Sequence, residues 1–207
     1  AAAIAKFYDR RVHVIKLCHD LLPTGKIVHR YEKTKPHQCI KCSFPDEDRD
    51  HILRCPHPSR ATWRSQCLKA VREKCEAMRT RPYLTDILVD GMYAWFQNQE
   101  PPDRPHPLYA TLVDTQRAIG WRQLFNGRMS DEWVTMQDEY LTSNKIVDRT
   151  LSGKQWASGI IATIWKQWFE LWDIRNGDVH GRDATTRERA KKNQAVRELR
   201  AVYLFKD

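Results

Sequence analysis

Apolar residues recur at intervals of three and four along most of the chain, the period of helices with one buried face. Val12, Ile15, Leu17, Leu21 and Leu22 mark a first amphipathic helix from Lys6 to about Leu22, which Pro23-Thr24-Gly25 ends. A basic loop is expected from Lys26 to Gln38. Leu68, Val71, Cys75 and Met78 predict a helix from Ser59 to Met78, and another is expected over Tyr83 to Gln97. Pro101-Pro102-Asp103-Arg104-Pro105-His106-Pro107 holds four prolines in seven residues, which forbids regular helix and reads as a stiff linker. Beyond it, Leu108 to Phe125 is expected as one segment. Ser130-Asp131-Glu132 opens the next with a hydroxyl cap and two acids suited to the helix dipole. Ile161, Ile164, Trp165, Trp168, Phe169 and Trp172 mark the most apolar helix, from Lys154 to about Arg175. Thr185-Thr186-Arg187-Glu188 fits a capping box before a last, basic helix. No stretch alternates for more than four residues, so strands are scarce. The expectation is an all-α helical bundle. Its parts are residues 1–80 with a finger between two helices, a helix in 81–100, the linker 101–107, and a helical domain in 108–207.

Composition agrees with a folded chain of one domain or two small ones. The 207 residues are 41% hydrophobic and 29% charged, with eight Trp, a globular rather than a disordered balance. No run of eighteen apolar residues exists, so no membrane span is expected. Ala1-Ala2-Ala3-Ile4-Ala5-Lys6 lacks the apolar core of a secretory signal and reads as a cut edge.

The six cysteines sharpen the picture. Cys39-Ile40-Lys41-Cys42 is followed, after eight residues, by His51-Ile52-Leu53-Arg54-Cys55. A Cys-x-x-Cys turn brings two thiolates to one small cation, and a His and a Cys four apart on a helix share a face. Together they predict a structural Zn2+ site with four ligands, Cys39, Cys42, His51 and Cys55, and no position open for chemistry. Asp48 or Asp50 is placed to cap the short helix that presents His51. His57 competes with His51 by proximity, although Pro56 and Pro58 on either side make it the poorer helical ligand. Cys18, Cys67 and Cys75 then read as buried thiols in an intracellular, reducing setting, cytoplasm or nucleus.

Charge adds a partner class. Formal net charge is +9, and the excess lies at the two ends: eight Lys and Arg from Arg10 to Lys41 against two acids, and eight from Arg182 to Lys206 against three. Such a distribution favours a polyanion, because neutralised phosphates release counterions. Lys33, Lys35, Lys41 and Arg54 near the finger, with Arg187, Arg189, Lys191 and Lys192 on the last helix, are the candidate phosphate contacts.

Two further motifs compete with plain packing. Trp165, Trp168 and Trp172 could stack bases, but their spacing beside Ile161 and Ile164 is that of a buried seam. Arg175-Asn176-Gly177-Asp178-Val179-His180 resembles the Arg-Asn-x-x-x-His signature of HEPN ribonucleases, which implies metal-independent RNA cleavage by Arg175 and His180. In an unbroken helix those two side chains diverge by about 140°, so convergence requires a break at Gly177 or a second chain. No other catalytic signature is present, and the chain is not expected to be an enzyme.

Taken in order, these pieces resemble the zinc-binding region that follows the reverse transcriptase in non-LTR retrotransposon polyproteins. The matching residues are Leu22-Pro23-Thr24 at a helix end, the basic lead-in to Cys39-x-x-Cys42, the acidic loop before His51-Ile52-Leu53-x-Cys55, and Trp172-Asp173-Ile174-Arg175-Asn176 at the end of a Trp-rich helix. Residues 7–60 and 160–181 are covered. Three residues rather than four separate His51 from Cys55, which keeps His57 open as a substitute. The resemblance implies binding of template RNA or target DNA as an accessory to polymerisation, the rest of the polyprotein as partner, and Arg175-Asn176 as a helix-end packing feature. A zinc-stapled protein-interaction scaffold is the remaining alternative.

Overall fold

The computed structural model describes residues 8–104, 106–146 and 151–204. Among them lie nine α-helices and no strand: α1 Arg11–Cys18, α2 Gly25–Tyr31, α3 Arg49–Arg54, α4 Pro58–Ala77, α5 Pro82–Phe96, α6 Pro107–Ile119, α7 Asp131–Ser143, α8 Gly153–His180 and α9 Ala184–Leu204. The expected all-α class is what forms. The chain packs as two units, one of Ala1–His19 and Trp63–Trp168, the other of Asp20–Thr62 and Phe169–Asp207.

In the first unit, helical periodicity becomes core directly. Trp63, Cys67, Val71 and Cys75, each four residues from the last, are all buried on α4, as are Leu84, Leu88 and Met92 on α5. Trp63, Trp95, Phe96 and Phe125 form a tilted and edge-on aromatic cluster with centroids 4.7 to 5.9 Å apart. Trp133 and Trp156 stack at 6.2 Å. Burying an indole strands its N–H unless an acceptor is supplied. Trp63 donates to the Gln167 carbonyl at 2.9 Å, Trp165 to the Phe125 carbonyl at 3.1 Å, and Trp156 to the Thr80 hydroxyl at 2.6 Å. Trp165 and Trp168 are therefore core, as their spacing indicated. Cys67 and Cys75 are buried thiols and Cys18 is half-buried.

Gln116 is the polar pivot of this unit. Its buried side-chain oxygen accepts both the Ser130 backbone N–H and the Trp133 indole N–H, each at 3.1 Å. Gln116→Leu keeps the volume and removes the acceptor. It is expected to lower stability in denaturant unfolding by about 1–3 kcal/mol, the cost of leaving buried donors unpaired. A midpoint equal to wild type would show that those donors find other acceptors.

Four local expectations are corrected. The basic segment after Gly25 is not all loop: residues 25–31 are helical, because Glu47, twenty-two residues away, accepts from the Gly25 N–H at its carboxylate (2.9 Å) and from the Lys26 N–H at its carbonyl (3.1 Å). The segment from Leu108 to Phe125 is not continuous. It breaks at Gly120 (φ 97°), a conformation open to glycine, and resumes as a 3-10 turn over Trp121–Asn126. Ser130 precedes α7 but makes no side-chain cap; its hydroxyl accepts from Thr115 at 3.2 Å instead. The capping box of the last helix is shifted by two residues. Gly181 (φ 83°) turns the chain sharply, so α9 starts earlier, with the Asp183 carboxylate accepting from Thr186 N–H (2.8 Å) and the Thr186 hydroxyl accepting from Asp183 N–H (3.0 Å). That exchange holds the Asp183 carboxyl below the usual carboxylate range.

Candidate metal centre

The second unit is built around the cysteine cluster. Cys39 to Phe44 forms a knuckle: Ser43 N–H donates to the Cys39 carbonyl and Cys39 N–H to the Phe44 carbonyl, both at 2.9 Å, with Ser43 left-handed at φ 60°. This turn aims the backbone N–H groups of Lys41 and Cys42 at the Cys39 sulfur. On the other side, the Asp48 carboxylate caps α3 by accepting from His51 N–H at 2.8 Å. The capped turn presents His51, and Cys55 follows at its C-terminal end. The Phe44 ring stacks on His51 at 4.4 Å and 6°, which fixes the imidazole plane.

These elements bring the donors of Cys39, Cys42, His51 and Cys55 within 4.8 Å of one another, a set that can hold a metal ion. Cys39 and Cys55 sulfurs are 3.9 Å apart, Cys55 and Cys42 sulfurs 3.7 Å, and Cys42 Sγ lies 3.3 Å from His51 Nε2. His57 is elsewhere engaged. Its Nδ1 contacts the Ser59 hydroxyl at 2.8 Å and accepts the Ser59 N–H at the start of α4.

The thiols are unequal before any cation arrives. Burial pushes the Cys55 thiol up to about 12, with Cys39 and Cys42 adding to the effect against a hydrogen bond from the His57 backbone. Burial acts on Cys39 in the same direction, but hydrogen bonds from His51 and from the Lys41 and Cys42 backbone outweigh it and bring this thiol down to about 6. Ligation needs thiolates, so a cation held here would displace the Cys55 proton, and its affinity would rise with pH.

The same unit holds a buried ion pair whose acid lies 128 positions from its base rather than nearby. Arg175, 5% exposed, donates through Nη2 and, at 3.2 Å, through Nε to the carboxylate of Glu47, itself 3% exposed. The remaining nitrogen, Nη1, reaches the Pro23 carbonyl at 3.4 Å and Asn176 Oδ1 at 3.3 Å. The guanidinium lies 5.2 Å from the centre of the buried Trp172 ring. Glu47 belongs to a run of acids that reads as a solvated turn, and no local feature distinguishes it. Arg175 and His180 do not converge: α8 continues through Gly177 to His180.

The anticipated phosphate contacts fall into two groups. Lys33 is exposed and Arg54 half-buried. Lys35 is tied to Glu198 at 2.7 Å, and that hydrogen bond raises its pKa. Lys41 pairs with Asp178 at 3.1 Å, which also takes the buried Arg60 at 2.9 Å. Arg187, Arg189, Lys191 and Lys192 are all exposed on α9. Among the described residues no helix is long and apolar enough to cross a membrane. Set against protein-family models, curated proteins and solved structures, the chain finds no match in any of the three.

Proposed function

We propose that this chain is a zinc-stabilised, nucleic-acid-binding accessory module of a non-LTR retrotransposon reverse transcriptase polyprotein, holding template RNA or target DNA without catalysis of its own. The observation that carries the reading is the Arg175–Glu47 pair, whose guanidinium also reaches Pro23. Leu22-Pro23-Thr24, the cysteine knuckle, the acidic loop and the Trp172 to Asn176 segment are the four stretches on which the resemblance rests, and all belong to one compact unit.

Donor chemistry supports zinc as the ion. Tetrahedral ligation with Zn–S near 2.3 Å and Zn–N near 2.0–2.1 Å requires donor separations of about 3.8 Å for S···S and about 3.5 Å for S···N. Three of the six separations, 3.9, 3.7 and 3.3 Å, lie near those values, and all six are within 4.8 Å. Three cysteines and one histidine are a soft set suited to zinc rather than to magnesium or calcium. With four protein ligands the ion would serve structure alone.

Nucleic-acid binding is tested by its salt dependence. Affinity for RNA or DNA oligonucleotides, read by filter retention, is expected to fall by an order of magnitude or more between about 50 and 200 mM salt, with little dependence on sequence. Flat binding across that range would sink the reading. The ion pairs that occupy Lys35 and Lys41 favour the second reading, a scaffold whose basic residues support the fold. A scaffold shows no retention even at low salt.

A further inference from the structure

An open groove of ≈ 350 Å³ runs along α9 in the second unit, lined by Gly177, Asp178 and Val179 at the end of α8, the Gly181–Asp183 turn, Ile40 of the knuckle, and Thr186, Arg189, Ala190, Asn193 and Arg197. We infer that this groove is the track for a single phosphodiester backbone, with Arg182, Arg189 and Arg197 as its phosphate contacts and Asn193 between the two helical arginines. The inference rests on the nucleic-acid-binding reading and assigns it a face.

Helix geometry selects that face. Successive residues are turned by about 100°, so Arg189, Asn193 and Arg197 share one side, and Lys191 points away from all three. Of the four basic residues anticipated on this helix, Arg189 alone lines the groove. Glu188 and Glu198 are also turned away, and Glu198 takes hydrogen bonds from Lys35 and Gln194 at 2.7 Å. Arg189 and Arg197 are two turns, about 12 Å, apart, so a strand laid along the helix passes both.

The local charge suits an anion. Two carboxylates line the groove, Asp178 and Asp183. Asp178 is surrounded by Lys41 at 3.1 Å, Arg60 at 2.9 Å and Arg182 at 3.9 Å. Arg60 is 3% exposed, and its Nη1 is buried with no hydrogen-bond partner. Asp183 is committed to capping α9 through Thr186. Three cations, Arg182, Arg189 and Arg197, thus line the groove against two carboxylates that are already engaged. Ile40, 45% exposed at the rim, adds an apolar surface for a sugar or a base. A single row of cations along one helix face suits one backbone, the arrangement in which cationic grooves follow unpaired strands.

The test compares two variants of equal charge in the whole chain. Arg189→Glu/Arg197→Glu reverses the groove, and Lys191→Glu/Lys192→Glu reverses two cations of the same helix that do not line it; metal content and circular dichroism check that both fold. For single-stranded 20-mers of RNA and DNA, the groove variant is expected to lose at least tenfold in affinity and the control less than threefold. Arg189→Lys/Arg197→Lys is expected to stay close to wild type. Equal losses in the two charge-reversed proteins, or losses confined to a duplex of the same sequence, overturn the groove assignment while leaving nucleic-acid binding intact. A wild-type chain that retains no nucleic acid at low salt overturns both.

Discussion

Cys42→Ser is expected to release the metal ion and unfold the knuckle, with the melting transition of the second unit moving to lower temperature or disappearing. The size of the effect follows from what holds residues 39–55 together. Their fixed points are one turn, the six-residue α3 and the four converging donors, a structure below the length at which an isolated helix is stable in water. Structural zinc in small fingers contributes about 10–16 kcal/mol of apparent binding free energy near neutral pH. That is comparable with the whole stability of an ordinary domain, about 5–15 kcal/mol. Wild type should carry one zinc per chain by elemental analysis, and chelation should reproduce the melting behaviour of the variant. His57→Ala should keep its zinc, because His57 belongs to the start of α4. Full zinc content and an unchanged melt in Cys42→Ser would refute the four-ligand centre.

Glu47→Ala should be the most damaging single change away from the cysteines. It leaves the Arg175 guanidinium buried without its carboxylate, a loss of about 3–5 kcal/mol for a buried pair broken on one side. It also takes the acceptor from the Gly25 N–H and so uncaps α2. Denaturant unfolding of the metal-loaded protein reads the sum. Arg175→Met alone should cost less than Glu47→Ala, since its methylene-rich chain still packs on Trp172 while the Glu47 carboxylate keeps the Gly25 N–H. Combining the two should cost less than their sum, because no buried charge remains to be compensated. Strict additivity, or a loss below 1 kcal/mol for Glu47→Ala, would mean that the pair is hydrated and contributes little.

What could be read in advance divides by sequence distance. Helices with a periodic apolar face, such as α4, read from Leu68, Val71, Cys75 and Met78, of which the last three are buried, were legible because packing of that kind is written within a few turns. The cysteine cluster was legible because seventeen residues hold all four donors, and Asp48 was one of two named caps. Where reading stopped, the deciding partner was remote. Residues 25–31 became helix because of Glu47, and Glu47 was buried because of Arg175, 128 positions later. The shifted cap of α9 had a different cause: Gly181 ends the preceding helix and leaves Asp183 as the first available cap.

The Arg175–Glu47 pair also sets a schedule for biosynthesis. At about 5–20 residues per second, the ribosome delivers Arg175 roughly 6–25 s after Glu47. During that interval the four metal ligands are already made, so the ion can close the knuckle while the carboxylate behind it still faces water. A metal ion bound at that stage would give the helix bearing Trp172 and Arg175 a preformed finger to dock on.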